Sequence, residues 1–301
     1  ISVVGPSSWG EMAVAQSVGA IIAVFVGFGW GIVGPAQVAG MPLDIRGQYL
    51  RDSVISRGLL FVCSIPVYVV LVVMIVGIQA DFAAYAVAGF STLAMALGSG
   101  WFFIGEASPA RLLFWESIPR AAGMLVAVIA LLVSHSLFVY TVIQLVFIAA
   151  SIVLTTRNIN QRYPDSSYNR SVRDGFRRLS GSYAALVTAG TSTFYVNAPL
   201  LVISLILPGV TPVYAAAEKI QRFALTGMAP VTQVIQGYIP SANDHTHMMA
   251  RIKRSLTLTS VIAVVLGALI AALLPIVAFI VTAGKIEVPL SLSIPMGLTS
   301  T

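Results

Sequence analysis

The stretch GLLFVCSIPVYVVLVVMIVGIQ, residues 58–79, runs for 22 residues without an Asp, Glu, Lys, Arg or His. A helix rises about 1.5 Å per residue, so this run covers the roughly 30 Å of a bilayer's hydrocarbon layer with its backbone groups bonded internally. Seven further apolar stretches surround it, at 11–34, 82–104, 112–134, 137–156, 182–207, 213–239 and 255–283. The fourth span, 112–134, is the weakest, because its apolar core is only 121–134 and its first turns carry Glu116, Pro119 and Arg120. Composition agrees with the spans. Hydrophobic residues make up 57% and charged residues 9%, with a mean hydropathy of +0.91. A soluble domain carries roughly 25% charged residues, so lipid is the expected solvent for most of this surface. The expected fold is an all-α integral membrane protein with about eight transmembrane helices.

Charge in the connections tests that count. In chain order, Lys and Arg number three (Arg46, Arg51, Arg57), none, two (Arg111, Arg120), none, six between 157 and 178, none, and three (Arg251, Lys253, Arg254). Alternate connections thus hold fourteen and zero. The basic set is assigned to the cytoplasm by the positive-inside rule. The net charge of +6 is thereby a matter of topology, and no nucleic-acid partner is expected. The long polar segment 157–181 divides the spans. The expected domains are an N-terminal helical lobe at 1–156, a basic cytoplasmic linker at 157–181 and a partial C-terminal lobe at 182–301. The linker's Arg run suits anionic headgroups. The chain opens at Ile1 and closes without a charged tail, and it reads as an internal piece of a longer protein.

Polar residues inside the spans are the candidate site. The seventh span reads VYAAAEKIQRFALTGMAPVTQVIQGYIP from Val213, with Glu218, Lys219, Gln221 and Arg222 near one end and Gln233 and Gln236 further along. Ionisable groups at membrane depth cost about 2.5 kcal/mol or more each, so they face a cavity or a partner. Glu218 and Arg222 are helical neighbours, and Lys219 and Arg222 suit an anionic headgroup such as a diphosphate. Snorkelling of the two cations to the surface is the plainer reading. The sixth span carries Thr188, Thr191, Ser192, Thr193, Tyr195 and Asn197, either bonded to their own backbone or lining a face for sugar hydroxyls. Pro199 follows and is expected to kink this helix. Gly27 and Gly31 form a small-xxx-small pair that reads as close packing or a bend. Gln144 reads as interhelical glue, and Cys63 as a small buried hydrophobe. The pair His245 and His247 beside Asp244 is too small a set to define a metal site. No phosphate-cradling glycine loop or nucleophile elbow is present, so no catalytic residue, metal or cofactor is expected, and no enzymatic activity.

Several stretches resemble one family. Tyr214-Ala-Ala-Ala-Glu218-Lys219-Ile220-Gln221-Arg222, followed by Ala229-Pro230 and Tyr238-Ile-Pro240, is similar to a helix of O-antigen flippases. Trp101-Phe102-Phe103-Ile104-Gly105, Gly34-Pro35-Ala36-Gln37-Val38-Ala39 and Ser192 to Asn197 are similar to other segments of that family. The chain thus resembles the polysaccharide transporter branch of the superfamily that holds multidrug and toxin extrusion (MATE) exporters and lipid II flippases. The resemblance implies a twelve-helix, two-lobe MATE-like fold, of which this chain holds eight helices. It implies alternating-access flipping of an undecaprenyl-diphosphate-linked oligosaccharide across a bacterial cytoplasmic (inner) membrane for cell-surface polysaccharide biosynthesis. Its partners would be that lipid-linked oligosaccharide, the bilayer, and H+ or Na+ as coupling ion. The substrate contacts would be Glu218, Lys219, Arg222, Gln221, Tyr195 and Asn197. The alternative is a MATE-type multidrug or cation antiporter, against which stands the lack of an interior carboxylate in the first lobe apart from Glu116, near the end of its span. A membrane polysaccharide polymerase would need a large outer loop, and those between these spans are short.

Overall fold

A computed structural model describes residues 4–163, 183–226 and 245–299. It is 88% helical, with no strand among the described residues. The helices are α1 Pro6–Gly27, α2 Trp30–Gly40, α3 Leu43–Val76, α4 Phe82–Ala94, α5 Gly100–Gly105, α6 Pro109–Leu112, α7 Ile118–Ser134, α8 Leu137–Arg162, α9 Tyr183–Ile206, α10 Thr211–Thr226, α11 His245–Val281 and α12 Leu290–Leu298. Seven segments among the described residues are long and apolar enough to cross a membrane: Pro6–Gly40, Leu43–Val76, Phe82–Gly105, Pro109–Ser134, Leu137–Arg162, Tyr183–Ile206 and Leu256–Val281. The chain is therefore an all-α, multi-pass membrane protein. The eighth expected span, 213–239, is not among these seven: its residues 213–226 lie in α10, a 16-residue helix, and 227–239 lie outside the described residues. Of the expected linker, residues 157–162 continue α8 and residues 164–181 lie outside the described residues.

The chain packs as two compact units, Glu11–Pro208 and Ile1–Gly10 with Gly209–Thr301. In the first unit, the first span is broken. Phe28 (φ 42°) and Gly29 (φ 76°) separate α1 from α2, and glycine adopts such a φ without strain. Gly27 and Gly31 do not pack closely: a Cβ on either meets nothing within 4 Å. Close packing falls elsewhere. A Cβ on Gly19 of α1 would overlap the Gly89 carbonyl of α4, and one on Gly89 would overlap the Ala15 carbonyl and the Tyr68 hydroxyl. Tyr68 donates to the Ala86 carbonyl at 2.6 Å, filling the space beside that crossing. Helices that share lipid as solvent gain little from apolar burial against each other, so small residues that allow backbone contact hold them. Gln144 donates to the Tyr140 hydroxyl at 2.8 Å, one turn back on the same helix, and so is not interhelical. Cys63 is exposed rather than buried, because most of the α3 apolar run forms outer surface, where apolarity suits lipid. The α9 helix continues through Pro199.

At the end carrying the basic connections, Trp30, Tyr49, Trp101, Phe102 and Tyr163 interlock, with ring centroids 4.9–5.9 Å apart. Gly34 and Gly105 make the cluster possible: a Cβ on Gly34 would strike the Trp101 ring, and one on Gly105 would come within 2.6 Å of the Pro35 carbonyl oxygen. Two of the stretches quoted above, 34–39 and 101–105, thus pack on each other. Arg57, which the sequence places among connection charges, lies inside α3 and is 2% exposed. It donates to the carbonyls of Ser53 (3.2 Å), Ala96 (3.0 Å) and Gly98 (2.7 Å) and to Ser99 Oγ (3.3 Å), with its guanidinium 5.8 Å from the Trp101 centroid. The weak fourth span resolves through charge pairing. A π-turn at Leu113–Ser117 carries Glu116, whose Oε1 pairs with Arg120 at 2.9 Å, while Arg120 Nε donates to Ser151 Oγ at 3.2 Å.

Glu106, between the third and fourth spans, accepts both Nη groups of Arg162 (2.8 and 3.0 Å) and the Tyr163 hydroxyl (2.5 Å). Burial alone would raise this carboxyl, but the hydrogen bonds from Arg162 and Tyr163 and the charges of Arg162 and Arg111 hold it below the usual carboxylate range. A carboxylate lowered in the folded state stabilises above its unfolded pKa of about 4.3, and that contribution is lost as pH falls through the lowered value. Thermal unfolding in detergent should therefore show stability falling below about pH 4.3, with a shallower fall in Glu106→Gln. Parallel pH profiles for the two proteins would contradict this.

In the second unit, Ala216 and Ala217 of α10 pack against Ile270, Leu274 and Ala278 of α11 and against Ile286, Val288 and Met296. The α11 end turns at Thr282, whose hydroxyl accepts from the Ile286 N–H at 3.1 Å. A Cβ on Gly297 of α12 would overlap the Gly267 carbonyl, so α11 and α12 also meet through small residues.

Candidate functional site

Helix α10 is amphipathic in a specific sense. Its Ala215, Ala216 and Ala217 are buried, and the charged turn follows directly. Glu218 is itself 6% exposed. Arg222, one turn on, sends Nε (3.1 Å) and Nη2 (2.5 Å) to the same oxygen, Glu218 Oε1. Charge-assisted bonds of this kind fix a guanidinium's direction. The Arg222 side chain remains 41% exposed, while a buried carboxylate holds it from beneath. Gln221 is directed differently: its Nε2 donates to the Met296 carbonyl (2.8 Å) and the Thr299 hydroxyl (3.3 Å), tying α10 to α12.

Lys219 lies half-buried with Nζ 4.3 Å from the centroid of the Trp9 ring. An ammonium over an indole face is attracted by the ring quadrupole, by about 0.5–2 kcal/mol depending on desolvation. Gly10 permits the approach, since a Cβ there would stand 3.2 Å from Pro212 Cγ at the start of α10. Trp9 was not legible as part of this constellation. It precedes the first apolar stretch, and no local spacing links it to a residue in the seventh.

The structure thus gathers Glu218, Lys219, Gln221 and Arg222 with Trp9 in one unit. Tyr195 and Asn197 belong to the other unit, on α9. Asn197 is buried and donates to the Thr193 carbonyl at 2.8 Å, and Thr188 likewise donates to Ala184 at 2.9 Å. Tyr195 is 69% exposed and, with Thr191, Thr193 and Phe194, faces Ile21, Val24 and Phe25 of α1 across a groove of about 610 Å³. Gln233, Gln236, Pro230 and Asp244 lie outside the described residues, as do the side chains of His245 and His247.

Chemically, the α10 cluster offers two cations against one carboxylate, with donors in two forms. Arg222 presents a planar fork and Lys219 a compact charge. Donors of these two kinds suit an oxyanion. No family model, curated protein or solved structure matches the chain.

Proposed function

We propose that the protein belongs to a flippase that moves a polyprenyl-diphosphate-linked oligosaccharide across a bacterial cytoplasmic membrane for surface polysaccharide assembly. The observation that carries this reading is the half-buried cation pair on α10, Lys219 against Trp9 and Arg222 held by the buried Glu218. A helix carrying two steadied cations in a multi-pass membrane protein suits a lipid whose headgroup is a diphosphate. Lys219 and Arg222 contact the diphosphate, Glu218 orients Arg222, and Gln221 fixes the helix that bears them. Tyr195 and Asn197, in the other unit, are sugar contacts by the resemblance alone. The resemblance of the 214–222, 34–39 and 101–105 stretches to the flippase branch supports the same reading, with the two-lobe, twelve-helix arrangement as the fold of the full-length protein. A proton or sodium gradient would drive the cycle.

The test uses full-length protein in proteoliposomes loaded with a polyprenyl-diphosphate-linked saccharide, with its exposure on the opposite leaflet followed over time. Losing one charge-assisted contact, worth about 1.5–3 kcal/mol, should slow flipping at least tenfold in Lys219→Ala and in Arg222→Ala. Flipping at the wild-type rate in both variants would remove the site.

A further inference from the structure

We propose that the basic end of the unit Glu11–Pro208 carries a binding site for an anionic phospholipid, centred on Arg111. Two guanidiniums from distant segments converge there on one carboxylate, and a third lies beside them. Arg162 takes both oxygens of Glu106, and Arg111 stands 3.6 Å from the same carboxylate. Arg51 joins through the Tyr163 carbonyl, to which its Nη2 donates at 3.2 Å. Glu106 also accepts the Tyr163 hydroxyl, so a single, already committed carboxylate is shared by Arg162 and Arg111.

Arg111 is the outermost of the three, with its side chain 46% exposed. The residues that follow it are exposed and apolar: Leu113 (49%), Phe114 (63%) and Trp115 (36%). A cation followed directly by exposed aliphatic and aromatic side chains matches the layered chemistry of a lipid at the interface. The phosphate meets the guanidinium, and the acyl chains cover Leu113, Phe114 and Trp115. A free phosphate would satisfy the charge but leave the apolar residues uncovered, so the occupant is a phospholipid with net negative charge. The parity of connection charges places this end on the cytoplasmic side, where anionic lipid draws basic residues. The inference stands apart from the transport reading and holds whatever the protein carries.

Full-length protein is equilibrated with equal amounts of phosphatidylglycerol and phosphatidylcholine in mixed micelles, and retained lipid is counted by native mass spectrometry. Phosphatidylglycerol should be enriched. Arg111→Gln should lower that enrichment about fivefold, the effect of one cation at an anionic surface, while Arg111→Lys keeps most of it. Equal retention of both lipids by the wild type would overturn the proposal. So would unchanged enrichment in Arg111→Gln, or a parallel loss of both lipids in that variant.

Discussion

Replacing Arg57 with Met should lower the stability of the detergent-solubilised protein by about 3–5 kcal/mol, or roughly 10 °C in Tm. The side chain is fully enclosed, and its donors satisfy the carbonyls of Ala96 and Gly98 and the Ser99 hydroxyl at the irregular turn between α4 and α5. That turn interrupts the third span, where backbone groups have lost their helical partners and water cannot reach them. Met fills the volume of Arg57 but donates nothing, so buried carbonyls lose their partner and Glu116 loses a nearby positive charge. Arg57→Lys should fall between wild type and Met, because one ammonium cannot reach all three acceptors with the geometry of a fork. Thermal unfolding measures both. A loss under about 1 kcal/mol for Met would mean that the turn satisfies itself without Arg57.

Gly89→Val should cost about 3 kcal/mol or more, for a steric reason. Any Cβ at residue 89 overlaps the Ala15 carbonyl of α1 and the Tyr68 hydroxyl of α3, and the first of these is backbone. Helices α1 and α4 must then separate, and the loss spreads along their crossing. Gly31→Ala is the matched comparison. Its Cβ would meet nothing within 4 Å, and alanine favours a helix over glycine by about 1 kcal/mol, so that variant should be neutral or slightly stabilised. Equal destabilisation of the two variants would show that the Gly19–Gly89 crossing is not a tight contact.

Much of the architecture could be read without coordinates, because lipid imposes a local rule. A crossing helix needs about 20 consecutive apolar residues, and that requirement is written in adjacent positions. Seven of the eight apolar stretches read this way are helices long and apolar enough to cross, and the short connections at 80–81 and 135–136 follow from the same rule. The Glu218–Arg222 pair was readable on the same grounds, since a spacing of four residues brings two side chains together on any helix. The misreadings share a different character. Gly27 and Gly31 satisfy a packing motif, yet the close contact lies at Gly19 and Gly89, which share no local pattern. Gln144 looked like interhelical glue because a lone amide in a span invites a distant partner, but Tyr140 was available one turn back. Arg57 looked like a connection charge because the apolar run begins beside it, whereas α3 starts at Leu43 and carries it into the core.

From sequence alone came the helical membrane class, the position of the spans and the charged turn at 218–222, all set by the composition of contiguous segments in a solvent without hydrogen bonds. Tertiary structure decided which glycines touch, that Trp9 lies under Lys219, and that Arg51, Arg111 and Arg162 converge around Glu106 and Tyr163. Those relations join residues far apart in the chain. In lipid, where apolar surface is satisfied on any side, hydropathy states that a helix crosses but not which face meets a neighbour.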